Sequence, residues 1–255
     1  TPRTLTIEEQ RIIELMKAQA NLGGVPFMQQ QEDEGPKSHA FWDTQPMNHE
    51  NSSVEEGAIE PNKPSEEIRA EPYKMPAGFC WANVDVHDDK ERKELYDLLA
   101  NNYVEDDDAL FRFDYSQDFL YWALTPPGHK LDFWLGVRAE KSGKLVGFIS
   151  GVPASAKVRQ ADAVPLVEIN FLCVHKKLRS KRLAPVLIKE ITRRVNKSGV
   201  FQAVYTAGVV LPVPVASARY FHRALNVKKL INVGFSRLPP KTTMARHVKN
   251  YKLPD

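Results

Sequence analysis

The residues best placed to do chemistry form a run of cations in front of a helix. His175, Lys176, Lys177, Leu178, Arg179, Ser180, Lys181 and Arg182 follow a strand expected over about 166–174 and precede a helix expected over about 184–196. Pro185 sits near the helix start, where a missing N–H costs nothing. The first amides of a helix have no partner within it, and the aligned peptide dipoles add partial positive charge there. Cations around such amides make an anion site suited to a diphosphate. From charge alone, a solvated basic loop or a nuclear-import-like tract reads equally well. Strand-loop-helix geometry, which aims the amides at one point, favours the anion site.

Other elements must hold that unit in place. Thr6 and Glu9 form a capping box ahead of an apolar stripe through Ile12, Ile13, Leu15 and Met16, which predicts a short amphipathic helix ending before Gly23-Gly24. From Gln29 to about Tyr73 the chain is polar and acidic and reads as an extended or partly disordered arm, with Phe41 and Trp42 as its anchors. Phe79–Asp85 is strand-like, Asp88 caps a helix carrying Leu95, Leu98, Leu99 and Tyr103, and Phe111–Tyr115 alternates as a strand would. A helix capped by Ser116 runs to Leu124. Phe133–Arg138 and Lys144–Ala154 flank Lys141-Ser142-Gly143 and predict an antiparallel hairpin. Further on, Ala203–Thr206 and Leu230–Phe235 read as strands and Ala216–Ala224 as a helix.

The 255 residues, 42% hydrophobic and 26% charged, are those of an ordinary globular protein with room for a large α/β domain. A formal charge of +3 implies no general attraction to nucleic acid or to an anionic membrane, and the basic loop has no interleaved aromatic platform for nucleic acid. Two cysteines, Cys80 and Cys173, make neither a disulfide framework nor a metal-ligand spacing, so no metal is expected and a cytoplasmic location is. The amphipathic first thirty residues read as no secretory signal, and no run approaches the ~20 apolar residues of a membrane span.

The stretch Glu168–His175, continuing through Arg179-Ser180-Lys181-Arg182-Leu183-Ala184-Pro185, resembles the central motif of the N-myristoyltransferases, within the wider N-acyltransferase (GNAT-like) fold. Arg179 and Ala184 match the ends of that wider fold's Arg/Gln-x-x-Gly-x-Gly/Ala loop, while Arg182 stands where its first glycine is usual. Phe41–Pro46, Asn102–Asp107, Phe111–Ser116, Ala203–Gly208 and Tyr220–Arg223 continue the similarity in order. The resemblance weakens before about residue 36, and Ala40 departs from the polar residue usual before the Phe-Trp pair.

The resemblance implies a mixed α/β sheet that splays near Leu172, with helices on both faces and an N-terminal arm across a bound acyl-CoA. It implies a helix and linker over 1–35, an acyl-CoA-binding domain over 36–208, and the start of a pseudo-symmetric peptide-binding half over 209–255. Phe41, Trp42, Phe171, Leu172, Cys173, Val174, Arg179, Ser180, Lys181, Arg182, Leu183 and Ala184 would hold myristoyl-CoA, a co-substrate rather than a cofactor. The Phe171 and Leu172 amides would form an oxyanion hole, with Asn170 and Thr206 also catalytic. Tyr103, Phe113, Tyr220 and His222 would face a peptide whose N-terminal glycine amine attacks the thioester directly. For each of these aromatic residues, core packing is the alternative reading, and His222 alone reads as a satisfied helix histidine. A covalent acyl-enzyme at Cys173 is disfavoured, because no paired base lies nearby in sequence. By the same resemblance, the family's base is its C-terminal carboxylate, and this sequence ends where the family's continues. Apolar surface is therefore expected where the other half would dock. Acyl-CoA binding without turnover, or small-acyl N-acetyl transfer, are the alternatives.

Overall fold

Apolar strand segments buried on both faces build a five-stranded sheet, in the order β1-β2-β3-β4-β5. The computed structural model describes residues 41–46, 58–105, 112–157, 162–208, 211 and 214–253. The amphipathic helix expected from Thr6, the motif residue Phe111 and the acids Asp106–Asp108 lie outside them. The strands are β1 (Phe79–Asn83), β2 (Trp134–Ala139), β3 (Leu145–Lys157), β4 (Ala163–Val174) and β5 (Ala203–Val204). The first four pair antiparallel, and β5 joins β4 in parallel. A parallel neighbour needs a crossover, which helix α3 (Leu183–Lys197) supplies.

Helices cover both faces, as expected. Leu95, Leu98 and Leu99 of α1 (Asp89–Asn102) and Leu120 and Leu124 of α2 (Gln117–Leu124) pack with Trp134, Phe148, Phe171 and Cys173. On the other face, Leu187, Ile191 and Val195 of α3 pack with Leu135, Val137, Ile149 and Val167. The two predicted caps among the described residues are present: Asp88 accepts from the Glu91 amide and Ser116 from the Phe119 amide. At the close of the predicted β2–β3 hairpin, Gly143 takes a φ of 68°.

Gly136 sits mid-strand because the sheet leaves no room above it. A Cβ there would lie 2.7 Å from Val84 Cγ2 and 3.0 Å from Leu145 Cδ1. Gly136→Ala is therefore expected to destabilise the fold by about 1–3 kcal/mol, read as a lowered thermal midpoint.

Three expectations are corrected. The Phe111–Tyr115 segment is no strand in its described part: Arg112 makes one isolated bridge to Glu105, and Phe113 and Tyr115 put their rings 5.5 Å apart, stacked. Residues 216–224 form no helix. Val215, Tyr220 and Phe221 are exposed there, so an amphipathic face has nothing to bury against, and a short helix is not stable without such packing. Residues 230–235 form no strand. Leu230–Asn232 belong to α4 (Val227–Asn232), capped by Asn226, whose side chain accepts from the Lys229 amide at 2.9 Å. Gly234 ends it at φ 78°, with Phe235 N–H donating to Leu230 O and Gly234 N–H to Ile231 O. That paired closure is a Schellman motif, and the local caps overrode the strand-like run of β-branched residues. A further helix, α5 (Met244–Asn250), begins at Thr243 and was not anticipated.

The chain divides into two compact units, one ending at Pro214 and containing the sheet, the other containing Val215 onward with α4 and α5. Among the described residues, no helix is long and apolar enough to cross a membrane.

Candidate functional site

The antiparallel ladder between β3 and β4 breaks at one point. Phe148 faces Cys173 and Ser150 faces Asn170, so Phe171 and Leu172 together oppose Ile149. Two residues against one is a β-bulge, which leaves an amide outside the ladder and reverses the alternation of side chains. Val167 and Ile169 accordingly lie with the α3 face, as do Leu172 and Val174, whereas Phe171 and Cys173 fill the α1–α2 face. Phe171 takes a φ of 54° to do this. The parallel pairing with β5 stops at Glu168–Val204, so β4 parts from β5 before the bulge begins. This is the splay expected near Leu172.

Around the bulge the chain gathers polar atoms and rings. Phe171 N–H donates to Asn170 Oδ1 at 2.8 Å, and the buried Ser150 Oγ donates to the Asn170 carbonyl at 3.0 Å. The Tyr103 ring lies 6.2 Å from that of Phe171 and 6.4 Å from that of Phe113. Burial pushes the Tyr103 hydroxyl up to about 12, with Tyr115 and Cys173 adding to the rise and the Phe171 amide opposing it. Cys173 is also pushed up to about 12 by burial, against a small opposing pull from Arg179. A thiol so protonated is a poor nucleophile.

The basic segment following β4 is a 3-10 turn, Lys176–Lys181, rather than an open loop. Its start is pinned to the end of α1. Lys176 N–H donates to the buried Asn102 Oδ1 at 3.0 Å, and Arg179 Nη2 to the Asn102 carbonyl at 3.0 Å. Lys176 Nζ pairs with Glu105 at 3.0 Å, and bonds from Arg112 and then Lys176 hold that carboxyl below its usual range. His175 is pushed below its usual range by burial first and by Lys144 and Lys177 next, which suits its Nδ1 as the acceptor of the Lys177 N–H at 3.3 Å.

Between the 3-10 turn and α3, Arg182 adopts φ 53° and ψ 37° with no side-chain cap on the helix. This left-handed residue between two right-handed segments makes successive amides converge, the geometry of an anion-binding nest. Ser180, Lys181 and Arg182 surround it, all exposed. Glycine tolerates this conformation without the ~1–2 kcal/mol penalty of a side chain. Arg182→Gly is therefore expected to raise the thermal midpoint slightly, because it keeps the backbone shape and removes the strain.

The remaining predicted residues are more scattered. Trp42 stacks on Tyr205 at 6.0 Å and 13°, beside the exposed Thr206 at the end of β5, with Phe41 edge-on to Trp42 at 5.0 Å. Leu183 is fully buried and Ala184 half-buried at the start of α3. Tyr220 and His222 lie exposed in the second unit. That unit also exposes Phe221 at 85% and Leu225 at 81%. A groove of about 1090 Å³ between α1 and the β2–β3 turn is lined by Asp88, Glu91, Glu94, Asp97 and Arg138; its carboxylates do not suit a phosphate ligand. Among the described residues, no group of three or more His, Cys, Asp or Glu could hold a metal ion. Sequence reasoning passed over Ser150 and Asn102. The signal for Ser150 was a lone hydroxyl closing the apolar run Leu145–Ile149; for Asn102 it was an amide at a helix end.

A mixed sheet bulged beside a helix-start nest defines the class of the N-acyltransferase fold. The family pattern described as "Myristoyl-CoA:protein N-myristoyltransferase, N-terminal domain" matches residues 58–218, and the chain belongs to that family. It is 61% identical over 221 residues to the glycylpeptide N-tetradecanoyltransferase of Drosophila melanogaster, covering 86% of this chain and 46% of that protein. The Dictyostelium discoideum protein of the same name is 52% identical over 249 residues, covering 97% of this chain and 57% of that protein. A crystal structure of Saccharomyces cerevisiae N-myristoyltransferase with bound myristoyl-CoA superposes with a TM-score of 0.77 at 51% identity, over 86% of this chain and 52% of that one. The chain thus spans about half the length of the relatives it matches.

Proposed function

We propose that this chain is the acyl-CoA-binding part of an enzyme that transfers myristate from myristoyl-CoA to the N-terminal glycine amine of proteins. The observation that carries this reading is the succession of bulge, basic turn and left-handed helix start within one β4–α3 unit. The bulge at Phe171 and Leu172 suits a polarised carbonyl, and the nest at residues 180–184 suits the diphosphate of the same ligand. Cys173, Val174, Phe41 and Trp42 would line the acyl-CoA between and beside them. Residues 36–208 would form the acyl-CoA-binding domain and 209–255 the start of the peptide-binding half, with 1–35 leading into the arm. The exposed aromatic surface around Tyr220 favours a docked remainder, and a cytoplasmic setting suits both substrates.

In the reaction, the glycine nitrogen attacks the thioester carbon, the C–N bond forms and the C–S bond breaks. The amine gives up one proton and coenzyme A leaves as the thiol. An α-ammonium has a pKa of about 8 and must lose its proton before attacking. The amides at 171 and 172 stabilise the developing oxyanion, with Asn170 and Thr206 near the reacting atoms and Tyr103 and Phe113 lining the peptide path.

A second reading, binding without turnover, is favoured by the share of the relatives' length that this chain covers. A single-turnover assay with a glycine-first peptide separates the two. Amide product supports transfer by this chain, whereas bound myristoyl-CoA without product supports the binding reading. A preference for acetyl-CoA over myristoyl-CoA would overturn both.

A further inference from the structure

One hydroxyl stands out in the interior of the sheet. Ser150 is 0% exposed and lies within the buried run Leu145–Gly151 of β3. A buried hydroxyl is costly unless bonded, and this one donates to the main-chain carbonyl of Asn170, directly across the strand pair, at 3.0 Å. The residue after that carbonyl is Phe171, whose φ of 54° lies in the left-handed region. A phenylalanine stays there only where its surroundings outweigh the strain. Two bonds flank the strained residue: Ser150 fixes the peptide oxygen before it, and Asn170 Oδ1 takes its N–H at 2.8 Å. A carboxamide oxygen is a neutral carbonyl acceptor, the same chemistry as the oxygen of a thioester.

We propose that Ser150 is a positioning residue for the acyl carbonyl. By clamping the Asn170 peptide it holds the Phe171 bulge in shape, and the Asn170 carboxamide occupies the Phe171 amide until a thioester oxygen displaces it. This rests on the transferase reading given above. The exchange needs only rotation of the Asn170 side chain, because Ser150 grips the main-chain oxygen and keeps its bond throughout. Ser150 neither donates nor accepts a proton in the reaction. It acts by keeping the amide direction fixed when the surrogate oxygen leaves.

The test reads the carbonyl itself. Myristoyl-CoA carrying carbon-13 at the thioester carbonyl is bound to the full chain and followed by difference infrared spectroscopy. In the wild type the carbonyl band moves to lower wavenumber on binding, as expected for an oxygen receiving hydrogen bonds. Ser150→Ala is expected to lose most of that shift while coenzyme A affinity stays within about twofold, since the nest is untouched; a lost bond is felt as roughly a five- to tenfold effect at its own site only. Ser150→Thr, which keeps the hydroxyl, restores the shift. A full shift in Ser150→Ala, or none in Ser150→Thr when its thermal midpoint equals that of the wild type, overturns the proposal. A wild type that binds myristoyl-CoA with its carbonyl band unmoved sinks the transferase reading, and this inference with it.

Discussion

Replacing Glu190 by alanine is expected to lower the thermal midpoint by about 10 °C or more, the largest stability effect of any single change considered for this fold. The carboxylate is fully buried on α3 and has four donors. Arg193 reaches it through Nη2 at 2.6 Å and Nε at 2.9 Å, Arg194 through Nε at 3.1 Å, and the Tyr73 amide at 3.0 Å. Arg193 also donates to the carbonyls of Arg69 and Ala70 at 3.3 and 2.9 Å, and Trp81 Nε1 to that of Tyr73 at 2.7 Å. The network thus straps residues 69–73 onto α3 and β1. Removing one member of a buried ion pair strands the other, at a cost of roughly 3–5 kcal/mol, and each kcal/mol moves the midpoint of a chain this size by about 2–4 °C. Arg193→Met should cost a similar amount, because it unpairs Glu190 from the other side. Burial pushes the Glu190 carboxyl up, but bonds from Arg193, the Tyr73 amide and Arg194 outweigh it and hold the group below its usual range. A depressed folded pKa contributes stability above the unfolded value of about 4.3 and loses it as pH falls through the folded value. The gap between wild type and Glu190→Ala should therefore narrow in melts carried below about pH 4. A gap that stays constant there would refute the assignment.

Much of the scaffold was legible because it rests on local signals. The Asp88 and Ser116 caps, the Lys141-Ser142-Gly143 turn and the apolar runs of β2 and β3 each depend on a few neighbouring residues. The same holds for the helix start after Arg182. The bulge is different in kind. From Phe171 to Val174 every side chain is apolar, so a slip in alternation leaves no mark on the pattern, and only the partner strand reveals that Ile149 faces two residues. The resemblance, not periodicity, pointed to those amides. The polar contacts of Asn102 and Ser150 were hidden for a related reason: each spans many positions in the chain, 74 between Asn102 and Lys176 and 20 between Ser150 and Asn170. The errors after residue 215 arose where burial is slight. With Tyr220, Phe221 and Leu225 exposed, apolar pattern no longer reports on packing, and the Asn226 and Gly234 signals decided the structure instead.

The largest effect on chemistry is expected from removing a single hydrogen atom at position 172. Replacing the Leu172 peptide N–H by an ester oxygen, through incorporation of the corresponding hydroxy acid, leaves the isobutyl side chain against the α3 face, where it packs with the Leu135–Ile149 cluster. It deletes the donor and weakens the Phe171 carbonyl as an acceptor, without altering any side chain. If the bulge serves the thioester and residues 180–184 the diphosphate as proposed, the single-turnover rate of amide formation falls by roughly 10²–10³, the usual consequence of losing one oxyanion-hole donor, while the affinity for coenzyme A is unchanged. The same replacement at Phe171 tests a donor that Asn170 already engages at 2.8 Å. It should also slow transfer, and it should release the Asn170 side chain in the unliganded chain, visible as a change in its amide resonances. Side-chain replacement cannot make this distinction, because Leu172→Ala opens a cavity beside α3 and keeps the N–H. An ester at 172 that transfers myristate at the wild-type rate would mean that the bulge shapes the sheet without serving the thioester. Catalysis would then have to rest on the basic turn and the peptide path alone.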